Sequence, residues 1–237
     1  SLDDSSELSD AIYETMVGTR DDVLDQISTE FENAPIYAAT NFEQKANSVL
    51  RKKMSRGRFR DRVKPVVDEL VSNDGPSFAR QNSVKFFVQD IENATEDALE
   101  EMLRLMRIQV RRGANQGSEL SDVIGRTKNK YNDASLRQRA ELIAHMESKN
   151  IKETVKLQEF ESDPDVIGVR VSNENPSTPL TQSLAGAEAY FEYGDIQGQL
   201  QSATRSEFLQ QGFNPLPTTP PFHFNDTSTL EPIYKDE

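Results

Sequence analysis

The chain holds two histidines, His145 and His223, and no cysteine. Any imidazole chemistry must run through one of these two. Disulfides, thiolate metal sites, iron–sulfur clusters and thiol catalysis are excluded by composition. Glu141 and His145 stand one helical turn apart in a stretch that reads as helix, with Glu147 close by. That spacing puts a carboxylate and an imidazole on one face and supplies part of a metal site. No second ligand pair has a matching spacing, so the expected reading is a solvated helix face, and no metal is assigned. His223 lies in the run Pro220-Pro221-Phe222-His223-Phe224. This Pro- and aromatic-rich strip fits either a docking segment or a tail packed over the core. The 40 Asp and Glu residues single out no pair for acid–base work. There is no P-loop, no Gly-x-Gly-x-x-Gly after a strand and no Gly-x-Ser-x-Gly elbow. No catalytic residue and no cofactor is assigned, and a non-enzymatic role is expected. Asn93-Ala94-Thr95 and Asn225-Asp226-Thr227 match a glycosylation acceptor, the first at an expected helix start.

The most concentrated binding signal is basic. Arg51, Lys52, Lys53, Arg56, Arg58, Arg60, Arg62 and Lys64 are interrupted by one acid, Asp61. Such a block suits contacts to DNA phosphates or to an acidic protein partner. The competing readings are a solvated loop between helices and pairing with the acidic ends of the same chain. Phe59 stands among the arginines, but one aromatic is not a base-stacking platform.

The block is notable because the chain of 237 residues has a net charge of −13. That balance disfavours wholesale nucleic-acid binding. It fits a protein of a high-salt cytoplasm or an ordinary acidic protein. The charge is segregated. Residues 1–50 hold 2 basic and 11 acidic side chains, residues 51–150 hold 20 and 15, and residues 151–237 hold 5 and 14. A basic middle is flanked by two acidic ends. No apolar run approaches the ~20 residues of a membrane span, and no apolar signal segment is seen. The chain begins at Ser1, which reads as a processed or recombinant start.

These residues must be positioned mainly by helices. Eight of the 11 prolines follow residue 160, so long helices belong to the first 160 residues. Apolar spacing predicts a helix from Ser5 or Ser6 to about Ile27, with Leu8, Ile12, Met16 and Val23/Leu24 on one face. Further helices are expected over 41–54, 58–72 (with Pro65 starting or kinking it) and 77–93. Another is opened by Thr95 and runs to about Arg112. Gly113 and Gly117 are expected to break the chain. Ser118 then caps a short helix ending near Tyr131. The longest helix runs from Ala134 to about Phe160, with Leu136, Ala140, Ile143, Ala144, Ile151, Val155 and Leu157 apolar. Val166–Val171 reads as a strand, 186–193 as a short strand, 195–211 as one more helix, and 213–237 as a Pro-rich irregular tail. The fold class is mainly α: a long helical N-terminal half, then a smaller α+β region with an irregular end.

Gly117-Ser118-Glu119-Leu120-Ser121 opens the short helix, and Arg139-Ala140-Glu141-Leu142-Ile143-Ala144 follows, then Glu147 and Asn150. An Arg-Ala-Glu-Leu-Ile-Ala helix after such a short helix resembles the phage Mu F-like head-morphogenesis family of tailed viruses. In that family a strand-bearing region and a Pro-rich end come next, and 166–171 and 213–233 fill those places. Pro220, Pro221 and His223 echo the Pro–His part of the family's terminal pattern. Its Trp and Cys are missing here, so no metal or catalytic role is carried over.

The resemblance covers about residues 113–233 and divides the chain into a helical domain (1–112), a Mu F-like α+β region (113–212) and a tail (213–237). It implies a minor head protein near the portal vertex, made in the host cytoplasm and acting in capsid assembly and genome packaging or delivery. The implied partners are the portal or other capsid proteins, in several copies per particle, and packaged DNA. Together with the acidity it points to a haloarchaeal virus. The alternative is a helical adaptor or nucleic-acid-associated module without catalysis.

Overall fold

In a computed structural model the described residues are 2–31, 48, 52, 58–72, 80–116, 120–200, 202, 219–222 and 226–236. They form α1 (Leu2–Phe31), α2 (Arg58–Ser72), α3 (Arg80–Gln116), α4 (Leu120–Lys130), α5 (Asp133–Ser162), β1 (Val166–Ser172), α6 (Pro179–Leu184), β2 (Glu188–Tyr190) and β3 (Thr229–Tyr234). The protein is mainly α, with a long helical N-terminal half and a small antiparallel sheet near the C-terminus. Among the described residues, no helix is long and apolar enough to cross a membrane.

The chain forms two compact units, one of residues 1–67 and 85–145, the other of 68–84 and 146–237. In the first, α1 buries Leu8, Ile12, Met16, Val23 and Leu24. That is the stripe its sequence spacing predicts. Phe59, Val63 and Val67 of α2 and Ile91, Leu99, Met102 and Leu103 of α3 are buried likewise. Pro65 lies inside α2 and neither starts nor ends it. Pro65 and Asp61, whose carbonyl loses its helix donor, are both exposed, so water can replace the missing bond.

Three expectations change. The helices expected on either side of residue 94 are one helix, α3. The Thr95 hydroxyl does not cap a new helix but donates to the Ile91 carbonyl at 2.7 Å. No Gly or Pro interrupts this stretch, so nothing forces a break. Gly113 does not end it either, since α3 continues to Gln116. Within a long helix one glycine costs only about 1 kcal/mol. Third, Ile143 and Leu157 are only half-buried. The buried stripe of α5 is Leu136, Ala140, Ala144, Ser148, Ile151 and Val155. The 41–54 helix lies outside the described residues except at positions 48 and 52.

The second unit is built on a sheet of order β2-β1-β3, all antiparallel. Val169, Val171, Leu180, Leu184, Ala189, Leu200, Phe222 and Leu230 form its core. Gly168 is obligatory in the central strand, because a Cβ there would stand 2.3 Å from the Ala189 carbonyl oxygen. Thr178 and Thr181 make a reciprocal capping box at the start of α6, with Pro179 in its first turn. The end of the chain, expected to be irregular, contributes β3, with Pro232 opposite Val169. Proline is tolerated because β3 is an edge strand and the Leu230 N–H, two residues earlier, already points off the sheet to Glu153. Of the helix expected over 195–211, residues 196–200 and 202 are described and helical.

Candidate functional site

The basic block falls partly on α2, and two of its cations are held by acids of the first unit. The Arg60 Nε donates to Glu92 Oε2 at 2.8 Å, and its other nitrogen reaches Gln89 at 3.0 Å. Glu92 is buried, so this pair sits half in the core. Arg62 donates to Glu14 of α1, with both partners exposed. Lys52 and Lys64 are exposed. Arg51, Lys53, Arg56 and the Arg58 side chain lie outside the described residues. Phe59 is buried rather than presented to a base.

His145 is exposed on α5. Among the described residues, no group of three or more His, Cys, Asp or Glu could hold a metal ion. His223 lies outside the described residues, but Pro220, Pro221 and Phe222 beside it are buried, and Phe222 joins the core of the second unit. Packing over the core accounts for these three residues. Asn93 stands in mid-helix, and Thr95 is fully buried, so that acceptor pattern is structural.

The chain matches no protein-family model, no curated protein and no solved structure.

Sequence spacing did not reveal a buried polar cluster in the second unit. The Asp226 carboxylate accepts from the Ser228 amide (2.9 Å), the Ser228 hydroxyl (2.7 Å), Asn173 (3.3 Å) and the Phe222 amide (2.8 Å). Lys149 of α5 donates to the Asp226 carbonyl. Asn150 and Thr154 both bond the Thr219 hydroxyl, at 2.9 and 3.1 Å. Burial pushes the Lys149 ammonium below its usual range, against the opposing pull of Asp226 and Glu153. Asp226 and Ser228 are buried and spent on internal bonds, so the cluster anchors the chain end to α5 rather than presenting reactive groups.

A second region was hidden by averaging the charge over the whole middle of the chain. Residues 104–139 hold nine Lys/Arg against three acids. Arg20, together with Arg104 and Arg137 near the ends of this stretch, shows how the first unit can hold a cation. Arg20 is buried and donates to the Tyr131 carbonyl at 2.9 Å and to Asp133 at 2.7 Å. Arg137 pairs with Asp10 and lies 3.8 Å over the Tyr13 ring. Arg104 grips Glu101 with two bonds of 2.7 Å. Arg126, Lys128 and Lys130 of α4 differ, being exposed and in no ion pair among the described residues.

Proposed function

We propose that this protein is a structural minor head protein of a tailed virus, associated with the portal and acting in capsid assembly and genome packaging or delivery. The observation that carries this reading is the 117–150 resemblance. The order of elements around it supports the reading. Short α4 precedes α5, which bears the Arg-Ala-Glu-Leu-Ile-Ala run, and then come β1 and a Pro-rich segment ending in β3. A helical N-terminal half fits the helical region such proteins carry. The net charge of −13 suits a high-salt host.

The experiment is quantitative mass spectrometry of purified particles. A fixed copy number per particle, lost when the portal gene is deleted, is the expected result. A protein absent from particles and recovered instead on host nucleic acid or with a cellular complex would be an adaptor.

A further inference from the structure

The outward face of α4 gathers three exposed cations that form no ion pair among the described residues. At about 100° per residue, Val123, Thr127 and Tyr131 share the inward face, and all three are buried. Arg126 borders the outward arc on one side and Lys128 on the other, while Lys130, one turn beyond Arg126, is exposed nearer the edge of the buried face. The middle of that arc is Gly125 and Asn129, with Asp122 beside them one turn before Arg126, and all three are exposed. The Arg126 Nε donates to the Asp122 carbonyl at 3.3 Å. A Cβ at Gly125 would meet nothing within 4 Å, so the centre of the face is open and carries almost no bulk.

On the Arg126–Lys130 flank the positive field extends to neighbouring helices. The Glu101 carboxyl is held below its usual range first by the Arg104 hydrogen bonds and then by the charges of Arg104, Arg139 and Lys130. Arg139 has no ion-pair partner among the described residues. The Tyr131 hydroxyl, which feels Arg139 and Arg104, is buried with no hydrogen-bond partner among the described residues.

The chain does not lack acids to neutralise this face, since it has 40. Arg20, Arg60, Arg62, Arg104 and Arg137 all find one. Arg126, Lys128 and Lys130 form no ion pair among the described residues, although Lys130 feels the charge of Glu101, and they flank a polar strip that carries one acid, Asp122. We infer that the outward face of α4, with Arg126, Lys128, Lys130 and neighbouring Arg139, binds the phosphodiester backbone of duplex DNA. Flanking cations reach phosphates while Gly125 and Asn129 let the backbone approach the helix. Contacts of this kind position a duplex without reading its sequence. The net negative charge of the whole chain weakens steering from a distance, but it does not cancel contacts made at short range. This inference does not rest on the viral reading, and it assigns DNA contact to α4 rather than to the Arg60 and Arg62 positions of α2.

The test is fluorescence anisotropy of the full chain with a labelled mixed-sequence duplex of about 20 base pairs, across a series of salt concentrations. About four phosphate contacts give a slope of log affinity against log salt near −3.6, or roughly 100-fold weaker binding between 50 and 200 mM salt. R126Q/K128Q/K130Q/R139Q should keep the parent's circular dichroism and lose most of that slope. R62Q/K64Q should bind within about twofold of the parent. In the parent, duplex DNA should protect Lys128 and Lys130 from acetylation, a readout that needs no variant. No binding by the parent at low salt, unchanged binding by the quadruple variant, or no protection of the two lysines would each overturn the inference. Polyglutamate competing as well as DNA would overturn the assignment to nucleic acid in favour of an acidic protein.

Discussion

Glu153 closes the outer edge of the sheet by accepting the Leu230 N–H at 2.8 Å. The same carboxylate takes the Lys156 ammonium on its other oxygen at 2.7 Å. At the opposite edge Gln199 does the equivalent work. Its amide accepts from the Tyr190 N–H at 2.7 Å and donates to the Tyr190 carbonyl at 2.9 Å. Among the described residues, both edges of this three-stranded sheet thus meet a helical side chain instead of another strand.

E153A should therefore leave the Leu230 N–H buried and unpaired. The expected loss is about 1–3 kcal/mol of unfolding free energy, measured by urea denaturation. Faster amide exchange at Leu230 should accompany it. An alanine variant as stable as the parent would show that water replaces the carboxylate.

At Gly168 no side chain fits beneath the Ala189 carbonyl. G168A should cost about 3 kcal/mol, because the strands must separate or the β1–β2 register must give. Thermal melting checks this. G125A, where the space is open, is the matched control and should be neutral or slightly stabilising.

Arg60 and Arg62 are two residues apart but differ in what they leave behind. R60Q strands the buried Glu92 carboxylate and should cost about 2 kcal/mol. R62Q breaks an exposed pair and should change stability by less than about 0.5 kcal/mol. Equal losses would mean that burial of Glu92 plays no part.

Tyr131 carries a buried hydroxyl with no hydrogen-bond partner among the described residues. Y131F should leave the melting temperature unchanged or raise it, since no hydrogen bond is lost. Burial pushes the Tyr131 phenol above its ordinary value of 10.0, with the nearby charges as smaller influences. The unfolded chain then ionises first. This group's contribution is complete below pH 10 and is lost as the pH rises through the folded value. Relative to Y131F, the parent should lose stability on that alkaline side, and equal alkaline profiles would refute the assignment.

The histidines should be dispensable for folding and assembly. H145Q/H223Q is expected to retain the parent's melting temperature and its copy number in particles, because His145 is exposed on α5 with no metal-ligating group among the described residues around it. Loss of incorporation with normal folding would restore a chemical role for an imidazole.

Much of the helical architecture was legible from periodicity, because burying a stripe every three to four residues is a local demand. Leu8, Ile12 and Met16 announce α1 in this way, and 58–72 is α2 as expected. The absence of thiol chemistry followed from composition alone. Tertiary structure decided what local spacing leaves degenerate. Thr95 can cap a helix or bond back one turn, and the packing of α3 around it selected the second. Pro232 argues against a strand until an edge position makes its missing N–H harmless. The pairing of cations was the least legible feature. Arg60 and Lys130 both stand in basic stretches, but only long-range folding brings Glu92 to one and leaves the other in no ion pair among the described residues. Charge counts along a chain record how many partners exist. Which cation meets one depends on contacts between residues far apart in sequence, and those belong to the fold.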